Sequence, residues 1–95
     1  MNKYGEIAQT HFQKHLPSRY AQITDPETHF AVLGEEVAQR VDELTTDLAG
    51  GDPPGEGFME KLGRLNMAKL TAEGQALREL VLEDPEDEPE SSPAA

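Results

Sequence analysis

Residues 24–55 read TDPETHFAVLGEEVAQRVDELTTDLAGGDPPG, and this stretch decides the fold. Thr24 or Asp25 can cap a helix, Pro26 suits the first helical position, and Glu27 stands three residues after Thr24, as a capping box requires. Phe30, Leu33, Val37, Val41, Leu44 and Leu48 then recur at steps of three and four. At 100° per residue they share an arc of only about 80°. Glu35, Glu36, Asp42, Glu43 and Asp47 fall on the opposite side. Gly50-Gly51 stops the helix, and Asp52-Pro53-Pro54-Gly55 prevents a restart. The result is a helix over about 25–49 with one apolar side, which needs a neighbour.

Both flanks of the chain offer one. Upstream, the period predicts a helix over about 3–16 with Tyr4, Ile7, Ala8, Phe12 and Leu16 inward. Pro17 interrupts it, since proline lacks an N–H and clashes with the preceding turn. A short turn of helix at 18–23 then carries Tyr20 and Ile23 inward. Downstream, a third long helix is expected over about 56–82. It has one stripe of Phe58, Leu62, Leu65, Ala72, Ala76 and Leu80, and a second of Met59, Met67, Leu70, Leu77 and Val81, with Gly63 and Gly74 among them. Together the stripes cover about 220°, too wide for a single neighbour. The expectation is therefore an all-α, three-helix bundle-like domain over 1–82, with the third helix packed on both others.

Ninety-five residues make one domain. Only 36% are hydrophobic and 5% aromatic, and no apolar run approaches the roughly 20 residues of a membrane span. No cysteine is present, which excludes thiolate chemistry and fits a reducing cytoplasm. The first residues, Met1-Asn2-Lys3-Tyr4-Gly5, lack the apolar run of a signal peptide. Net charge is −11, unevenly spread. Residues 83–90 hold six acids and no base, and with Pro85, Pro89 and Pro93 they predict a disordered acidic tail over 83–95. Residues 1–24 carry a surplus of +2, residues 25–52 carry −7, and residues 53–82 balance.

Each chemical motif meets a plainer reading. His11 and His15 stand at i, i+4, the spacing that lets two imidazoles reach one zinc ion, and His29 could add a third ligand. Phe12, however, occupies the place of the glutamate in a metalloprotease helix. The pair also falls on the apolar side, near Tyr4 and Ile7, so a structural role is expected and no metal or cofactor is assigned. The acids of the second helix lie on its solvated side, where nothing drives their pKa values apart. The Gly50–Gly57 stretch precedes a helix, as phosphate loops do, yet lacks the Gly-Lys-Ser/Thr ending and carries two acids. Catalysis is not expected. Lys61, Arg64 and Arg78 form a small basic strip on the third helix, matched by neighbouring glutamates, so direct nucleic-acid binding is disfavoured.

Three pieces of the chain resemble the small transposon-encoded TnpV family of bacterial mobile elements. They are Lys14-His15-Leu16-Pro17-Ser18-Arg19-Tyr20, the run from Leu33 to Leu44, and Gly63-Arg64-Leu65-Asn66-Met67, with Ala72-Glu73 and Arg78-Glu79-Leu80 beyond. The likeness covers roughly residues 12–82. The acidic end departs from it, as does Lys61-Leu62, where an aromatic would stand before Gly63. The resemblance implies a small non-catalytic accessory product of a transposon, plasmid or prophage. An excisionase-like kinship would imply DNA binding through a dimer or a second protein, which the net charge opposes.

What remains is a protein partner, with a homodimer as one form of it. A domain of 82 ordered residues rarely holds more than ~3–5 kcal/mol, so an added contact would help. The candidate site is a ridge on the third helix, Gly63, Met67, Leu70 and Gly74, which share an arc of about 60°, with Asn66 beside it. Glycine inside a helix costs about 1 kcal/mol against alanine, and two on one ridge suggest close approach of another backbone. That backbone is expected to come from the first or second helix of the same chain, or else from a partner.

Overall fold

The computed structural model describes residues 1–82, so the acidic segment 83–95 lies outside the described residues. Four helices follow in order: α1, Lys3–His15; α2, Pro17–Ala21; α3, Pro26–Ala49; and α4, Phe58–Leu80. The described residues are all-α, with no strand among them. Each boundary falls within two residues of the sequence expectation.

The ends are set by local chemistry. Asp25, rather than Thr24, caps α3, accepting from the Thr28 backbone N–H at 3.3 Å and from the Thr28 hydroxyl at 2.8 Å. Gly50 ends α3 with φ of +63°, a conformation that favours glycine. At α4, the Gly57 N–H donates to Glu60 Oε1 at 3.0 Å and so satisfies a donor at the helix start.

Asn2 does two things at the start of α1. Its Oδ1 accepts from the Gly5 N–H at 2.9 Å, and its Nδ2 donates to the Gly34 carbonyl of α3 at 3.0 Å. One side chain thus caps a helix and ties it to its neighbour. Asn2→Ala removes both bonds and is expected to cost about 1–2 kcal/mol, read as a lowered thermal midpoint by circular dichroism. Asn2→Asp keeps the cap and loses the tie, so it should fall between alanine and wild type.

The core is built from Tyr4, Ala8, Phe12 and Leu16 of the N-terminal segment, Phe30, Val37, Val41 and Leu44 of α3, and Ala72, Ala76 and Val81 towards the end of the chain. Phe30 sits at its centre, edge-on to Phe12 at 5.2 Å and stacked on Tyr20 at 6.0 Å. Tyr20 and Ile23 pack against this cluster from the short α2 segment and the link after it, as expected.

The packing order corrects the expectation from the stripe widths. The helix with a long neighbour on each side is α3, which lies against both α1 and α4. Helix α4 seats on it through Ala68, Ala72 and Ala76, small residues at i, i+4 that make a low, flat contact. Of its second stripe, Val81 is buried in the core and Leu77 packs against it, while the other three residues are not used to build the core. Met59, Met67 and Leu70 are 72%, 61% and 62% exposed. Phe58, Leu62 and Leu80, assigned to the inward stripe, are exposed too, and so are Ile7 of α1 and Leu48 of α3.

Candidate interaction surface

Three electrostatic ties decide what the polar sides of the helices are free to do. At the N-terminal end, the Tyr4 hydroxyl donates to Glu73 Oε2 at 2.7 Å, and Lys3 Nζ reaches the same oxygen at 2.8 Å. This links α1 to α4. Along the α3–α4 pair, Arg40 Nε donates to Glu79 Oε1 at 2.9 Å while its Nη1 reaches Glu43 at 3.2 Å. Around the 50–57 connection, Arg64 gathers the Ala49 carbonyl, Asp52 and Glu56, and Lys61 pairs with Asp52 at 2.8 Å. The Arg64 hydrogen bonds hold the Glu56 carboxyl below its usual range, and Lys61 does the same for Asp52.

The last tie bears on the basic strip. Two of its three cations, Lys61 and Arg64, are already engaged by carboxylates of the connection. Only Arg78 lies elsewhere, on the exposed side of α4. A phosphate backbone would have to displace the Asp52 and Glu56 carboxylates to use the other two.

The Tyr4–Glu73 pair gives a testable pH signature. Burial, together with the facing Glu73 carboxylate, pushes the Tyr4 phenol up to about 12 from its usual 10. The Glu73 carboxyl is lowered, first by the Lys3 hydrogen bond and then by that of Tyr4. A phenol raised on folding contributes stability that is fully present below pH 10 and is lost as pH rises through 12. The midpoint advantage of wild type over Tyr4→Phe should hold at pH 8 and close between pH 10 and 12. A difference that does not change with pH would show that the hydroxyl bond contributes nothing through its ionisation.

The histidines do not assemble around a common point. His11 and His15 rings are 5.0 Å apart between centroids, but His15 is exposed rather than inward, and His11 is half-buried. His29 lies edge-on to Phe30 at 4.8 Å and to Phe12 at 6.4 Å. No group of three or more His, Asp or Glu among the described residues is placed to hold a metal ion. The pair borders an open groove of about 510 Å³ on α1, lined also by Lys3, Ile7, Lys14 and Leu82.

All five residues of the candidate ridge lie on the side of α4 turned away from α3. Gly63, Asn66, Met67 and Leu70 are exposed and Gly74 is half-buried. A Cβ built on Gly63 would meet nothing within 4 Å, and one on Gly74 would meet only the Arg78 guanidinium at 3.5 Å. The backbone expected to approach these glycines from within the chain is therefore not there. Met59 extends the same stripe towards the start of α4, whereas Leu77, at the same angle on the helix, is half-buried and packs against the core. Met59 was legible in the sequence as a member of the second stripe, but was not set apart from its inward half.

The glycines that do meet a backbone lie elsewhere. Gly5 of α1 and Gly34 of α3 are both buried where the two helices cross. A Cβ on Gly34 would lie against Asn2 Oδ1 and 2.8 Å from the Gly5 nitrogen.

The chain matches no family model, and neither the curated proteins nor the solved structures offer a significant match to it. No helix among the described residues is long and apolar enough to cross a membrane.

Proposed function

We propose that this protein is a small, non-catalytic, cytoplasmic interaction module that works by holding a protein partner on the outward side of α4. The observation that carries the reading is the exposed stripe of Met59, Met67 and Leu70, interleaved with two glycines whose space is open. Each glycine weakens the helix by about 1 kcal/mol relative to alanine, with no internal contact in return. Scattered exposed apolar residues need no explanation, but a continuous stripe on one helix, bordered by charge, is the usual mark of a contact surface. Methionine suits such a surface because its unbranched side chain adapts to what it meets. The resemblance of residues 12–82 to the TnpV family supports reading the module as an accessory product of a mobile element. The engaged state of Lys61 and Arg64 favours a protein partner over a nucleic acid.

Affinity capture from the native host, comparing wild type with Met67→Asp, tests this directly. The mutated side chain is exposed, so the fold should survive with its midpoint unchanged, while the captured partner is lost. Identical captures from both proteins, or retardation of DNA at moderate salt by the wild type, would contradict the reading.

A further inference from the structure

We infer that the outward stripe of α4 pairs with the same stripe of a second copy, running antiparallel about a two-fold axis that passes between Ala68 and Lys69. This rests on the proposed interaction surface and names its occupant.

The inference comes from the order of residues along the stripe. Reversed about that point, the stripe matches itself. Gly63 comes level with Gly74 of the second copy, and Met67 with Leu70. Met59 falls beside the last turn of α4 of the second copy, next to the edge of the half-buried Leu77. The glycines would meet at two places about three turns apart, with Met67 and Leu70 filling the centre and Met59 covering each end. A two-fold interface is isologous, so a surface that forms one must complement its own reverse, and this stripe does.

Charge follows the same symmetry. Glu60 and Arg78 lie on one flank of the stripe, at the same angle on the helix, both exposed. A two-fold perpendicular to the paired helices keeps each flank facing its own counterpart. It therefore brings Glu60 within one residue of Arg78 of the second copy, twice over. An unrelated partner has no reason to require this placement, whereas a second copy does.

The area decides the strength. Helix α4 has 23 residues and is about 35 Å long, and a contact strip ~10 Å wide covers on the order of 400 Å² of each copy. Over both copies that is about 800 Å², below the ~1,200–2,000 Å² of a stable interface, so the pair should be weak and in exchange, with dissociation on the order of 100 μM.

Sedimentation equilibrium of the full chain from about 10 μM to 1 mM tests this, with circular dichroism reporting the fold of each variant. The wild type should reach dimer mass. Gly63→Leu, which meets nothing in the single chain, should stay folded and dimerise at least tenfold more weakly. Arg78→Glu should weaken pairing comparably, and Glu60→Arg with Arg78→Glu should recover it. A dimer that ignores Gly63→Leu and the charge exchange overturns this arrangement. A wild type that stays monomeric at 1 mM overturns the pairing. If Met67→Asp still abolishes capture of a host protein in that case, the interaction surface stands without it; if not, both fail.

Discussion

Gly34→Val is expected to remove most of the protein's stability, leaving a substantial unfolded fraction at room temperature. Gly34 is buried where α3 crosses α1, and a side chain there runs into Asn2 Oδ1 and, at 2.8 and 3.0 Å, the nitrogen and Cα of Gly5. The Gly5 atoms are backbone of the first turn of α1, and Asn2 Oδ1 is the side-chain atom that caps that turn. The crossing must widen, and the Asn2 bonds to Gly5 and to the Gly34 carbonyl are lost with it. Overpacking of this kind costs about 1–3 kcal/mol, and the lost cap adds about 1 more. Against a total of ~3–5 kcal/mol for a core this small, little remains. The matching change on the other side of the molecule, Gly63→Ala, should have the opposite sign. It meets nothing and adds helix propensity, raising the midpoint by about 5 °C. Two melting curves at micromolar concentration decide the matter. Equal and small effects of both substitutions would mean that the α1–α3 crossing is not as close as described.

Phe30→Ala should be comparably damaging, for a different reason. Phe30 is fully buried, and its ring is the common neighbour of Phe12, Tyr20 and His29. Removing it leaves a cavity that α1, α2 and α3 all border, with a cost of about 3–5 kcal/mol. Phe58 is the control, since it is 76% exposed. Phe58→Ala should stay within about 0.5 kcal/mol of wild type. A cooperative near-wild-type melt of Phe30→Ala would place the core elsewhere.

The α3 pattern was legible because its period, cap, proline and double glycine all point to one helix. Its apolar arc of about 80° also gave the buried set well, failing only at Leu48 next to the helix end. The width of the α4 pattern was read correctly but assigned wrongly. A side 220° wide shows that a helix has more apolar surface than one neighbour covers; it does not show that the rest is covered at all. What decided the seating was the row Ala68, Ala72 and Ala76, whose small side chains let α3 come close and leave the larger ones outside. Glycine carried the same ambiguity. The rule that a helical glycine signals close approach held at Gly5 and Gly34, where the chain itself makes that approach, while Gly63 and Gly74 stand open. Periodicity alone cannot separate the two, because a residue that faces a partner and one that faces the core have the same spacing. The Tyr4–Glu73 tie had no sequence signal either, since it joins residues 69 apart.

The protein's methionines offer the most direct test of the central claim, that the outward side of α4 is a contact surface and pairs with its own copy. Met59 and Met67 lie on the stripe, while Met1 lies beside Gly5 at the α1–α3 crossing. Methyl spectra of protein labelled at its methionines, recorded from 10 μM to 1 mM, should show Met59 and Met67 shifting together with concentration while Met1 holds its position. Three methyl signals that stay fixed across that range, or a shift confined to Met1, would contradict the account.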